Sequence, residues 1–125
     1  MIDHTGVNVT NYQISKDFYL KALAPIQYQI VKEFAASVSG VDVAGLGEAN
    51  KPDFWLIAGK TQKPHVHIAF RAETRAQVDE FYKAAIAAGG KDNGQPGIRA
   101  HYHANYYGAF VLDPDGHNIE VVCHN

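Results

Sequence analysis

The sequence predicts one α+β domain made of two consecutive strand–helix–strand–strand–strand units, residues 1–60 and 64–125. Three observations carry that prediction. Each half opens on a segment that alternates with the period of a half-buried strand. Each such segment is followed by a capping pattern and an apolar stripe at helical spacing. The two halves also superpose without a gap at an offset of 63 residues, half the chain.

In the first unit, residues 2–9 alternate, with Val7 and Val9 on one face and His4, Gly6 and Asn8 on the other. Thr10 with Gln13 makes a capping-box pattern, and Ile14, Phe18, Ala22 and Leu23 then repeat as a helical face. Ala24-Pro25 ends that helix, because the residue before proline is pushed out of helical geometry. Residues 26–34, 41–48 and 53–58 follow as strands with β-branched or aromatic content. Turn-forming Ser37-Val38-Ser39-Gly40 and Asn50-Lys51-Pro52 separate them.

The second unit repeats the order. Val66, Ile68 and Phe70 alternate against His65, His67, Ala69 and Arg71. Thr74 with Gln77 is the second capping box, Val78, Phe81, Tyr82, Ala85 and Ile86 are the stripe, and Gly89-Gly90 supplies a left-handed stop. Residues 98–103, 106–112 and 119–124 complete three strands, with Asp113-Pro114-Asp115-Gly116 as turn chemistry before the last. Placing His4 on His67 aligns Phe18 with Phe81, Tyr19 with Tyr82 and Ala22 with Ala85.

Composition narrows the function. A chain of 125 residues that is 46% hydrophobic and 19% charged buries a core of its own and is not disordered. Eleven basic against thirteen acidic residues leave no dense positive surface, which excludes sequence-independent nucleic-acid binding. Cys123 is the single cysteine, so neither an internal disulfide nor a cysteine-rich zinc site is available. No apolar run approaches the roughly 18 residues of a membrane span. The opening Met1-Ile2-Asp3-His4 has no basic segment followed by an apolar one, so the expected location is the cytoplasm.

If the helices cover the Val, Ile and Phe faces, the opposite faces collect what cannot be core. That set is His4 on the first strand, His65, His67 and Arg71 on the fifth, and Glu120, Val122 and His124 on the last. Two neutral imidazoles and a carboxylate suit a divalent metal with positions left open for substrate.

Three segments carry a resemblance: Ile2-Asp3-His4-Thr5-Gly6-Val7, His67-Ile68-Ala69-Phe70 and, most specifically, Asp113-Pro114-Asp115-Gly116-His117-Asn118-Ile119-Glu120. With the doubled βαβββ order, the whole chain resembles the glyoxalase/bleomycin-resistance/dioxygenase group, the vicinal-oxygen-chelate superfamily. The resemblance implies a curved mixed sheet from paired modules with helices on its convex side. It also implies one divalent ion (Fe, Mn, Ni, Zn or Mg) and a small substrate chelated through adjacent oxygens. Its metal ligands fall on His4, His67 and Glu120. The fourth ligand of glyoxalase I falls at or near Trp55, which cannot ligate, and Asp53 upstream is a poor substitute. What is left is a three-ligand set similar to fosfomycin thiol transferases and extradiol dioxygenases. A homodimer with a shared site is implied as well.

Around that set, His101 and His103, on one face of the sixth strand, are the candidate general bases, because imidazole titrates near neutral pH. Trp55, Tyr106 and Phe110 are placed in the substrate pocket by strand parity, and Arg71 is a forked anchor for a substrate carboxylate. His65 is read as a residue of the surface or one that supports the ligands from behind, the turn residue His117 as solvated, and His124 as non-catalytic. Two functions compete. One is a metal-dependent lyase, isomerase or ring-cleaving dioxygenase. The other is a metal-free binding protein of the bleomycin-resistance type that sequesters a planar ligand. No cluster of Lys, Arg and Ser is present to cradle a phosphonate, which disfavours fosfomycin as substrate.

Overall fold

Alternation and capping place the elements close to where the sequence puts them, in a computed structural model that describes all 125 residues. The order is β1 (Thr5–Val9), α1 (Tyr12–Ala22), a single 3₁₀ turn (Ala24–Ile26), β2 (Gln29–Phe34), a one-turn α2 (Ala36–Ser39), β3 (Val43–Gly47) and β4 (Phe54–Ala58). Then come β5 (His67–Arg71), α3 (Arg75–Ala87), β6 (Lys91–Ile98), β7 (Tyr107–Leu112) and β8 (Asn118–Cys123). Within the chain the eight strands form two four-stranded mixed sheets, ordered β1-β4-β3-β2 and β5-β8-β7-β6. In each sheet the first and last strands of the unit pair in parallel, which leaves β1 and β5 with one unpaired edge apiece.

Both sheets turn their apolar faces onto the helix pair α1 and α3, and one core of 21 buried residues runs through both units. Phe54 of β4 meets Tyr19 of α1 and Phe70 of β5 edge-to-face, so the aromatic core crosses from one sheet to the other. The faces away from the helices therefore point outwards. The Thr74–Gln77 capping box forms as expected. At α1 the cap is Asn11, whose side chain accepts from the Ile14 N–H, and not Thr10. Thr10 is drawn off by Asp115, which takes its N–H and hydroxyl 105 positions along the chain.

The sixth strand is also displaced. It occupies residues 91–98 and not 98–103, so His101 and His103 sit in the connection to β7 and not on a strand face. Gly94, Pro96 and Gly97 disfavour a strand locally, but pairing with β7 through two register shifts imposes one. The residues beyond it fold into a turn, where the Tyr102 N–H bonds Arg99 O and the Arg99 N–H bonds Tyr106 O. No helix is long and apolar enough to cross a membrane.

Candidate functional site

The outward face of the second sheet assembles part of the expected site. His67 begins β5, and Glu120 lies on the adjacent β8, opposite Ala69 and two residues past Asn118, the partner of His67. Period-two alternation puts both side chains on the face away from the helices. His67 Nδ1 bonds the Asn118 carbonyl at 3.0 Å, so that nitrogen carries a proton. Nε2 stands 3.0 Å from Glu120 Oε2. Glu120 is only 2% exposed, an unusual depth for a carboxylate on an outward face.

What buries it is a ring of side chains. Tyr106 donates its hydroxyl to the other carboxylate oxygen, Oε1, in a short hydrogen bond. Burial and the neighbouring carboxylate push the Tyr106 phenol well above its ordinary range, so it stays protonated and donates. Phe110, opposite Glu120 on β7, stacks on the His67 ring with centroids 6.2 Å apart. Arg99 lies over the Phe110 ring at 5.4 Å while its other donors hold the carbonyls of Gly97 and Gln95.

His4 is elsewhere. Just before β1, it bonds Asp3 through Nδ1 at 2.7 Å and is exposed. It faces His67 only across an open cleft of about 420 Å³ between the β1 and β5 edges, which Arg71 also lines. A single chain thus brings His67 and Glu120 together and leaves His4 apart, and no three His, Cys, Asp or Glu side chains within it are grouped to hold a metal ion.

The pocket residues divide in the same way. Tyr106 and Phe110 are beside Glu120. Trp55 is on the first sheet, opposite Gly6 and Gly45, in a shallow pocket with His4. Its ring lies over Gly45, where a Cβ would come within 2.8 Å of it, and runs nearly parallel to Phe34 at 6.5 Å. The register also shows what Trp55 replaces. Gly6 pairs with Trp55 as Ala69 pairs with Glu120, and Gly6 and Ala69 are equivalent at the 63-residue offset. Trp55 therefore stands at the counterpart of the Glu120 position.

Of the remaining histidines, His117 differs from expectation. His117 is not solvated: it is 0% exposed, accepting the Val66 N–H at Nδ1 (3.0 Å) and bonding Thr61 Oγ1 through Nε2 (2.7 Å). It is a structural tie between β8 and the linker joining the two units. His65 is exposed and packs edge-on to the His117 ring. His103 accepts the Asn105 N–H at Nδ1 (3.1 Å), so its Nε2–H donates to His124 Nδ1 at 2.8 Å. Neither lone pair of that couple is free, whereas His101 is engaged only by stacking on Tyr102 at 4.2 Å. The sequence did not single out the His103–His124 couple, and it held no local signal for it.

Comparison with known proteins agrees with the fold. Residues 1–121 match the model of the Glyoxalase/Bleomycin resistance protein/Dioxygenase superfamily. The chain belongs to that superfamily. Among solved structures, a glyoxalase/bleomycin resistance protein from Albidiferax ferrireducens T118 superposes with a TM-score of 0.79 at 24% identity, covering 98% of this chain and 97% of that one. A glyoxalase I mutant from Zea mays gives 0.75 at 23% identity over 97% of this chain and 46% of that one. A fosfomycin resistance protein from Listeria monocytogenes, complexed with Mn(II) and a dihydroxypropylphosphonic acid, gives 0.71 at 15% identity over 98% and 88%. No curated protein matches the sequence. At these identities the structural likeness speaks for the fold.

Proposed function

We propose that this superfamily member is a metal-dependent enzyme acting on a small molecule that chelates through two adjacent oxygens, of the lyase, isomerase or ring-cleaving type. One observation carries the reading. His67 Nε2 and Glu120 Oε2 face each other at 3.0 Å, with the other ring nitrogen already on the Asn118 carbonyl. A nitrogen and a carboxylate oxygen at that distance are bridged by a proton or by a metal ion. A nitrogen and an oxygen bound about 2.0–2.2 Å from one divalent ion at near right angles lie roughly 3 Å apart, so the donor set fits such an ion in chemistry and in spacing. The Nδ1 bond to Asn118 is also the outer bond that fixes a ligating imidazole.

Bound there, the ion would supply Lewis-acid polarisation of the substrate oxygens. The candidate ions are Fe, Mn, Ni, Zn and Mg. His67 and Glu120 would hold it from one chain, and His4 is the third donor. Because His4 lies on the other sheet, it is best supplied by a second copy. The edges of β1 and β5 are unpaired, and positions 4 and 67 are equivalent between the units, as are 55 and 120. A homodimer that pairs β1 of one copy with β5 of the other would gather them round one shared site.

Phe110 and Tyr106 shield Glu120 from water, and Trp55 of the opposing sheet would wall the far side of the substrate. Arg71, on the outward face of β5, would meet a substrate carboxylate. Of the two candidate bases, His101 suits the proton transfer, since His103 has both ring nitrogens engaged. A cytoplasmic location goes with this reading.

The competing reading, a metal-free sequestering protein, is favoured by one observation: an aromatic Trp55, stacked near Phe34, occupies the counterpart of a ligand position. Elemental analysis of protein purified without a histidine tag separates the two. The enzyme reading expects stoichiometric divalent metal, lost in His67→Ala and Glu120→Gln. Metal-free protein that binds planar aromatic ligands would replace it with the sequestering reading.

A further inference from the structure

Resting on the metal-dependent reading, we infer that Tyr106 is a positioning residue that limits Glu120 to a single donor oxygen, which keeps adjacent positions open for a two-oxygen substrate. The two carboxylate oxygens have different occupations. Oε2 faces His67 Nε2, and Oε1 is taken by the Tyr106 hydroxyl. A carboxylate binds a divalent ion through one oxygen or two, and the second costs a coordination position. With two imidazoles and one carboxylate oxygen, a six-coordinate ion has three positions left. A two-oxygen substrate would then take two neighbouring positions and leave one to water, whereas with both carboxylate oxygens bound only two would remain, and the substrate would have to fit the one pair left.

The phenol is held on purpose-built surroundings. A Cβ at position 108 would come 3.3 Å from both Glu120 Oε1 and Tyr106 Cε1, so Gly108 leaves the space through which the hydroxyl reaches the carboxylate. The Tyr106 ring packs edge-to-face against Tyr102 (4.8 Å), His103 (5.3 Å) and His124 (5.4 Å). Its backbone N–H bonds His103 O and its carbonyl accepts from Arg99 N–H. The His103–His124 bond and the Asn105 N–H on His103 lock the imidazoles that grip the ring. Their tautomers also leave no lone pair for an ion, so the couple acts on the ring as a clamp and is not a second metal site.

The test uses Co²⁺-loaded full-length protein, wild type and Tyr106→Phe, with acetohydroxamate as the two-oxygen probe. Co²⁺ affinity is read by competition with a chromophoric chelator, coordination by the visible ligand-field band, and probe affinity by titrating that band. In Tyr106→Phe, the freed Oε1 takes a position from water: Co²⁺ affinity holds or rises, the band shifts as a carboxylate oxygen replaces water, and hydroxamate affinity falls about tenfold or more. His124→Ala, which loosens the clamp and keeps the hydroxyl, gives a smaller shift in the same direction. An unchanged band with hydroxamate affinity within about threefold of wild type overturns this inference alone. Wild-type protein that binds no Co²⁺, or Glu120→Gln protein that binds it as well as wild type, overturns the metal reading and this inference together.

Discussion

Replacing Tyr19 with phenylalanine removes one oxygen and keeps the ring that packs edge-on against Phe18 and Phe54. The lost hydroxyl donates to Asp113 Oδ2 at 2.5 Å, joining α1 of the first unit to the β7–β8 turn of the second. Asp113 is 5% exposed, and its other oxygen, Oδ1, accepts the N–H groups of Asp115 and His117. In the variant Oδ2 is left buried without a partner. A hydrogen bond to a charged acceptor is worth about 1.5–3 kcal/mol, and the orphaned carboxylate oxygen puts the expected loss near the middle, about 2 kcal/mol. For a domain of this length that corresponds to a fall in Tm of roughly 6–10 °C. Urea denaturation at pH 7 should show a lower midpoint at unchanged slope. The variant should also flatten the alkaline limb. Burial, and then the Asp113 charge, raise the Tyr19 phenol above the ordinary value of 10.0, so its contribution is complete below pH 10 and declines as pH rises beyond it. The decline is about 1.4 kcal/mol per pH unit for one such group, and Tyr19→Phe should remove it. A midpoint shift worth less than about 0.5 kcal/mol, with an unaltered alkaline slope, would refute the reasoning.

Three other outcomes follow from burial and close approach. Ser15→Ala should leave stability unchanged or raise it by up to about 1 kcal/mol in the same urea assay, because the buried Ser15 hydroxyl has no hydrogen-bond partner and alanine is the better helix residue. Gly90→Ala should cost at least about 2 kcal/mol, since its Cβ would lie 2.4 Å from Val111 Cγ1 and 2.9 Å from the Ala85 carbonyl. His117→Ala should cost about 3 kcal/mol by thermal melt, because the Val66 N–H loses its acceptor, the Thr61 hydroxyl oxygen loses its donor, and the fully buried ring leaves a cavity.

Much of the fold was legible because its signals are local. Alternation in residues 65–71 and the Thr74–Gln77 box depend on near neighbours, and both elements formed where they were expected. The failures have distant causes. Thr10 has the composition of a cap, but Asp115 across the fold outcompetes the helix for it. Residues 91–98 have poor strand propensity and become β6 only because β7 pairs with them. His117 reads as a turn histidine, yet its partners are 51 and 56 residues away. In the candidate site, the placing of His67, Glu120, Tyr106 and Phe110 on one outward face follows from strand parity alone. His4 and Trp55 belong to the other unit, as their place in the chain predicts, but how the two units' edges adjoin could not be read, because parity gives only the face of a strand. The backbone partners of the His67 and His103 rings were equally hidden, since each is contributed by the fold or the turn.

The central claim is that residues 4, 67 and 120 share one cation, with His4 arriving from a second copy. Anomalous diffraction at the metal edge, on crystals of tag-free protein, measures this directly. The expected map has one strong peak per site, about 2.0–2.3 Å from His67 Nε2, Glu120 Oε2 and an imidazole nitrogen of His4 from the other copy. A peak held by other residues, or a blank map in protein that still turns over its substrate, would contradict it.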